Sequence, residues 1–239
     1  MRGQADDVQV DVWRTRLDVP PDDLARAALL LSGDERARAE RYHFPIHRAR
    51  YIAARGALRA ILGDILVADP AGLRFVYGPH GKPALAAQPG GAALCFNVSH
   101  AGDLALVAVT ERRRVGVDLE QARPDLAYLE IAERFFSPRE VAALRALPPP
   151  RQQEGFLRCW TRKEAYIKAL GVGLSLSLAS FDVSLAPGDA PALLASRPDP
   201  HEAGRWSLHD LDAGVGYTAA LAVEGHDLHV TQRHWALTV

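Results

Sequence analysis

Two stretches of the chain echo each other, Leu104-Ala-Leu-Val-Ala-Val109 and Thr218-Ala-Ala-Leu-Ala-Val223. Each closes a run of long helix, strand, loop and paired strand, so the sequence reads as two copies of one unit. The copies divide into residues 1–112 and 113–239. Such a duplication leaves a cleft between its halves, a place where ligand sites are commonly built. With 239 residues the chain can bury a sizeable core, as one large domain or two small ones. No heptad, solenoid period or low-complexity segment competes with this reading.

A net charge of −1 argues against nucleic acid or an anionic membrane as partner, so any basic site must be local. No apolar run approaches the ~20 residues needed to span a bilayer. The opening Met1-Arg-Gly-Gln-Ala-Asp-Asp7 lacks the apolar segment of a signal peptide. Cys95 and Cys159 sit among apolar neighbours and read as core thiols in a reducing cytoplasm. Neither has the His or Cys neighbours of a zinc site.

Val8, Val10 and Val12 alternate with polar residues and predict an opening strand. Pro21 and Gly33 bracket a helix from Asp22 to Leu31, and a charge-dense segment follows from Asp34 to Arg41, with Arg36, Arg38 and Arg41 on an exposed face. A long helix from His47 to Leu66 has an apolar stripe and a polar face carrying Arg48, Arg50, Arg55 and Arg59. Leu73 to Tyr77 is a predicted strand ending in the turn Gly78-Pro-His-Gly-Lys-Pro83, where Gly81 and Pro83 would hold Lys82 in place. Leu94–Val98, Leu104–Thr110 and Arg114–Glu120 are expected to form a three-stranded meander. Ser137-Pro-Arg-Glu140 is a capping box. Strands are predicted at Phe181–Leu185, Trp206–Leu211 and Tyr217–Val223, with Pro187–Gly204 as a mobile surface loop.

Two segments carry the chemistry. On a helix spanning Leu157 to Leu170, Trp160, Lys163, Glu164, Ile167 and Lys168 share one side, while Arg158 and Arg162 point the other way. Lys163 falls within the apolar face, and Glu164 and Lys168 along its edge. Partly buried charges are costly unless paired, so the arrangement is either a Glu164–Lys168 ion pair or a set of groups offered to a ligand. In the strand Arg114–Glu120, period two sets Asp118 and Glu120 on one face. Two such carboxylates repel unless a cation lies between them or one stays protonated, and Mg²⁺ favours one or two carboxylates with phosphate oxygens and water. A solvent-facing acidic strand end is the plain alternative.

Together, Gly116-Val-Asp-Leu-Glu120 and Trp160-Thr-Arg-Lys-Glu-Ala-Tyr-Ile-Lys168 resemble the paired signature of the 4′-phosphopantetheinyl transferases, most closely the surfactin-synthetase-activating type. The resemblance takes in Gly81-Lys-Pro83 and Asn97-Val-Ser-His100 and covers about residues 36 to 185. It implies an α+β fold of two pseudo-twofold-related halves, each an antiparallel sheet packed with a long helix. It also implies transfer of the phosphopantetheine arm of coenzyme A to a serine of an apo acyl or peptidyl carrier protein, releasing adenosine 3′,5′-bisphosphate.

The same resemblance implies the roles. Asp118, Glu120 and Glu164 would hold Mg²⁺, for which Mn²⁺ can substitute, and Glu164 could instead be the base for the incoming serine. Lys163 and Lys168 are expected to keep Glu164 ionised. Arg48, Arg50, Arg55, Lys82, Ser99, His100, Lys163 and Lys168 would bind coenzyme A, with His100 and Lys168 also acting on the reacting phosphate. Phe135-Phe136 would lie near the carrier surface or in the core. One chain supplying both halves implies a monomer. A Mg²⁺-dependent nucleotide pyrophosphate hydrolase and a non-catalytic carrier-binding subunit are the alternatives.

Overall fold

The computed structural model describes residues 8–86 and 93–236; the opening segment 1–7 lies outside them. The first half contains β1 (Val8–Arg16), α1 (Pro21–Leu30), α2 (Gly33–Glu40), α3 (Pro45–Leu66), β2 (Phe75–Tyr77), β3 (Pro83–Leu85), β4 (Leu94–Ala101) and β5 (Leu104–Glu111). The second contains β6 (Val115–Gln121), α4 (Tyr128–Phe135), α5 (Pro138–Ala146), α6 (Pro149–Leu170), β7 (Phe181–Val183), β8 (Leu193–Ser196), β9 (Trp206–Leu211), β10 (Tyr217–Glu224) and β11 (Leu228–His234).

The architecture is α+β, and its duplication is visible in the strand order. One sheet runs β11-β1-β5-β4 and the other β6-β10-β9. In each, a leading strand pairs antiparallel with the second strand of a later hairpin. The echoing sequences are therefore the central strands β5 and β10. Both are buried along nearly their whole length, which is why neither alternates. Val10, Val12, Leu106, Val115, Val117 and Leu221 meet in a core shared by the two sheets.

Two termini were legible locally. Ser137 and Glu140 form the expected capping box of α5, and Gly171 at φ 71° closes α6 in the left-handed conformation. Three expectations are corrected by tertiary contacts, and one strand, β11, has no counterpart among them. β6 does not continue a meander: Arg112, at φ 56°, turns the chain away and β6 opens the second sheet against β10. The segment 187–204 is not one loop, because β8 within it pairs with β7. β11 returns to the first sheet, parallel to β1, with Val230 opposite Val10. Arg162 does not face solvent; it is fully buried and clamps Asp210 at 2.8 and 2.9 Å.

Among the described residues no helix is long and apolar enough to cross a membrane. Cys159 is buried and Cys95 half-buried.

Candidate active site

β4 and β6 are edge strands of different sheets that lie side by side, joined by side chains. Asn97 Oδ1 accepts from the Val117 amide at 2.9 Å, and Ser99 Oγ accepts from the Leu119 amide at 3.2 Å. The Asn-Val-Ser segment thus supplies what a neighbouring strand's backbone would otherwise provide. On its other flank β6 presses against α6. A Cβ on Gly116 would lie 2.1 Å from the Ala165 carbonyl oxygen and 2.3 Å from the Ala169 amide, so only glycine allows this approach.

Asp118 lies two residues beyond Gly116 and is buried. Its Oδ1 accepts from Ser99 Oγ at 3.1 Å and from Lys168 Nζ at 2.5 Å. Its Oδ2 is buried with no partner. A lone carboxylate oxygen shut away from water is costly, and a cation is the natural occupant. Glu120 is half-buried; burial, then the Asp118 charge, raises its carboxyl above the usual range. Glu164 on α6 is raised for the same two reasons, against the pull of Lys168. Of the two expected cations, Lys168 does pull the Glu164 carboxyl down, and burial and the Asp118 charge act against it.

Among the described residues no three His, Cys, Asp or Glu side chains form a ready cage. Asp118 Oδ2 and the Glu120 and Glu164 carboxyls would take one side of a Mg²⁺ ion and leave the rest to phosphate oxygens and water, as that ion prefers.

Lys163 does not reach the cleft, and its expected contact with coenzyme A is corrected. Its side chain is fully buried, 2.8 Å from Glu140 Oε1, and donates to the carbonyls of Leu178 and Phe181 at 2.7 and 2.6 Å. One helical position decides this: Lys163 points into the core under α5, whereas Glu164 and Lys168 edge the cleft. Lys82 is corrected as a phosphate ligand too. Its ammonium donates to the carbonyls of Val115, Lys168 and Ala169 at 2.9, 2.6 and 3.1 Å, and burial lowers its pKa to about 8.

Two cavities form the cleft. The larger, about 590 Å³, lies between α3 and the β4–β5 hairpin and is lined by Arg38, His47, Arg50, Tyr51, Arg55 and His100 among others. The smaller, about 290 Å³, is lined by Glu164, Lys168, Lys82 and Asn97. Gly81, Pro83 and Val98 border both, so the two adjoin at this turn. His100 sits on the exposed side of the hairpin, and the surrounding protein, then Lys168, lowers its pKa.

The arginines divide. Arg48 is exposed and does not line the cavity. Arg50 is paired with Asp18 at 2.8 Å. Arg55 is paired with Glu35, which also holds the buried Arg59 at 2.6 Å. Arg38 has no ion pair among the described residues; its guanidinium lies 5.5 Å from the Tyr51 ring centre. Sequence reading placed Arg38 only on an exposed face, and its one signal was the charge density of residues 34–41. Phe136 is core, stacked on Phe156, while Phe135 stands at the surface edge-on to Trp160.

Comparison with known proteins matches the sequence to a family. The 4′-phosphopantetheinyl transferase superfamily model matches residues 114–223, and the 4′-phosphopantetheinyl transferase N-terminal model matches residues 18–112. The chain is 43% identical to the 4′-phosphopantetheinyl transferase HetI of Nostoc sp. over 91% of its length and 88% of the relative's. It is 38% identical to the 4′-phosphopantetheinyl transferase psf-1 of Bacillus pumilus over 72% of this chain and 70% of that one. It is 33% identical to the 4′-phosphopantetheinyl transferase Sfp of Bacillus subtilis over 77% and 84%. With Glu164 and Lys168 lining the smaller cavity and Lys168 bound to Asp118, the chain belongs to the 4′-phosphopantetheinyl transferase superfamily.

Proposed function

We propose that this protein transfers the 4′-phosphopantetheine arm of coenzyme A to a serine hydroxyl of an apo acyl or peptidyl carrier protein, with Mg²⁺ as cofactor. The observation that carries the reading is the pairing of Asp118, which keeps one buried oxygen without a partner, with Lys168 at the end of a cleft lined by arginine and histidine. An acid beside a bound lysine serves a metal–phosphate group better than it serves a neutral ligand.

The serine oxygen forms a bond to the β-phosphorus of coenzyme A. The bond from that phosphorus to the bridging oxygen breaks, and adenosine 3′,5′-bisphosphate leaves with the electron pair. Glu164, with its raised pKa and its place in the smaller cavity, takes the serine proton. Lys168 bears on phosphate charge, and Arg38 and His100 hold the nucleotide end in the larger cavity. Bound Mg²⁺ would neutralise the charge developing on the phosphate oxygens. Action as a cytoplasmic monomer belongs to the same reading; among the described residues no helix is long and apolar enough to cross a membrane.

The test is to incubate the protein with coenzyme A, Mg²⁺ and several apo carriers and to weigh the carriers. A gain equal to one phosphopantetheine is expected. No gain on any carrier, or release of adenosine 3′,5′-bisphosphate without a carrier, overturns the reading.

A further inference from the structure

Lys82 is the one cleft lysine whose ammonium is directed at backbone alone. Its stem leaves the Gly81-Lys-Pro83 turn of the first half, and its three carbonyl partners all belong to the second half. Val115 is the first residue of β6, and Lys168 and Ala169 lie in the last turn of α6. The carbonyls of a helix's last turn lack partners within the helix and carry its negative end. An ammonium seated on two of them, with a third from the adjoining strand, uses all three of its N–H groups. Packing repeats the contact: a Cβ on Gly171 would lie 3.4 Å from Lys82 Cδ, and one on Gly173 would lie 3.2 Å from His80 Cβ.

We infer that Lys82 is a positioning residue that clasps the two halves, fixing the turn that borders both cavities to the helix end that carries Lys168. Gly81 and Pro83 line each cavity, so the height of this turn sets the shape of the cleft where they join. On the other side the clasp holds the backbone of Lys168, whose side chain spans the seam to Asp118 and Ser99. A cleft built from two halves can hold a ligand in one geometry only if the halves keep their relative placement. The functional importance of that placement rests on the transferase reading; the clasp itself does not.

The test compares wild type with Lys82→Met and Lys82→Arg. Amide hydrogen exchange of the ligand-free proteins is expected to rise in Lys82→Met at residues 168–173 and 81–84, with distant strands unchanged. Lys82→Arg, which can still donate to carbonyls, is expected to restore protection. Coenzyme A affinity should fall about tenfold in Lys82→Met, the worth of one charge-assisted contact, and recover in Lys82→Arg. Wild-type exchange in ligand-free Lys82→Met would overturn the clasp, and with it a lost affinity would make Lys82 a ligand contact. ¹⁵N spectra of the wild type decide the matter even if Lys82→Met fails to fold. A slowly exchanging Lys82 ammonium signal before any ligand is added supports the clasp, and one that becomes slow only with coenzyme A overturns it.

Discussion

Lys168 Nζ lies 2.5 Å from Asp118 Oδ1, while the other Asp118 oxygen is buried without any partner. The lysine, 30% exposed at its side chain, covers one oxygen and leaves the second unpartnered. Asp118→Ala is therefore expected to abolish transfer while the protein stays folded, since Lys168 can turn to water and an orphaned oxygen is removed. Carrier mass and a circular dichroism melt check the two halves of this expectation. Transfer that survives Asp118→Ala, or that proceeds fully in excess EDTA, would show that no metal works there.

Glu164 lines the smaller cavity, and burial and the Asp118 charge raise its carboxyl. If it is the base, Glu164→Gln cuts turnover by ~10²–10⁴ and leaves coenzyme A affinity nearly unchanged. Isothermal calorimetry and single-turnover transfer separate these effects. Restoration of turnover by high Mg²⁺ would assign Glu164 to the metal instead.

Arg38 lines the larger cavity without a carboxylate partner, whereas Arg50 and Arg55 are committed to Asp18 and Glu35. The wild type is expected to bind coenzyme A at least about tenfold more tightly than dephospho-coenzyme A, as a charge-assisted contact to the 3′-phosphate implies. Arg38→Ala should erase most of that preference. A preference unchanged in the variant would assign the 3′-phosphate to another group.

Gly116 has backbone of α6 where a side chain would begin. Gly116→Ala is expected to destabilise the protein by about 3 kcal/mol, the upper part of the overpacking range, because backbone cannot step aside as a side-chain tip can. Urea unfolding measures it. A wild-type midpoint would mean that β6 and α6 are further apart.

Glu224 is held down to about 2, first by hydrogen bonds from Arg114 and then by those from Arg205. Its folded pKa is below its ordinary 4.5, so the stability it contributes is present above 4.5 and is lost as pH falls towards 2. Glu224→Gln should cost on the order of 2 kcal/mol at pH 7, and the gap from wild type should close as pH falls from about 4.5 to 2. A gap of the same size at both ends of that range would mean the loss is one of shape and not of charge.

Much of the local architecture could be read without coordinates. The capping box at Ser137 and Glu140, the glycine stop at Gly171 and the paired echo of β5 and β10 each depend on short-range geometry or on burial pattern. The motif residues Asn97, Ser99, Asp118 and Lys168 lie together at one seam. The return of β11 was not legible, because a polar edge strand carries little periodic signal and its parallel partner lies more than 200 residues away.

What the sequence by itself determined is which residue types occupy which local positions: Asp118 and Glu120 on one strand face, and Glu164 and Lys168 one helical turn apart. Tertiary structure decided which of the charged groups remain available. Lys163 and Lys168 share a helix side, yet Glu140 and two carbonyls claim the first, and Asp118 and Ser99 draw the second to the cleft. Lys82 goes to the end of α6, Arg55 to Glu35, and Arg38 alone of the cavity's arginines keeps an uncommitted charge. Spacing along a chain fixes the direction of a side chain relative to its own element. Whether its charge is spent depends on partners brought from elsewhere, because a buried ion is tolerated only where a second chain segment satisfies it.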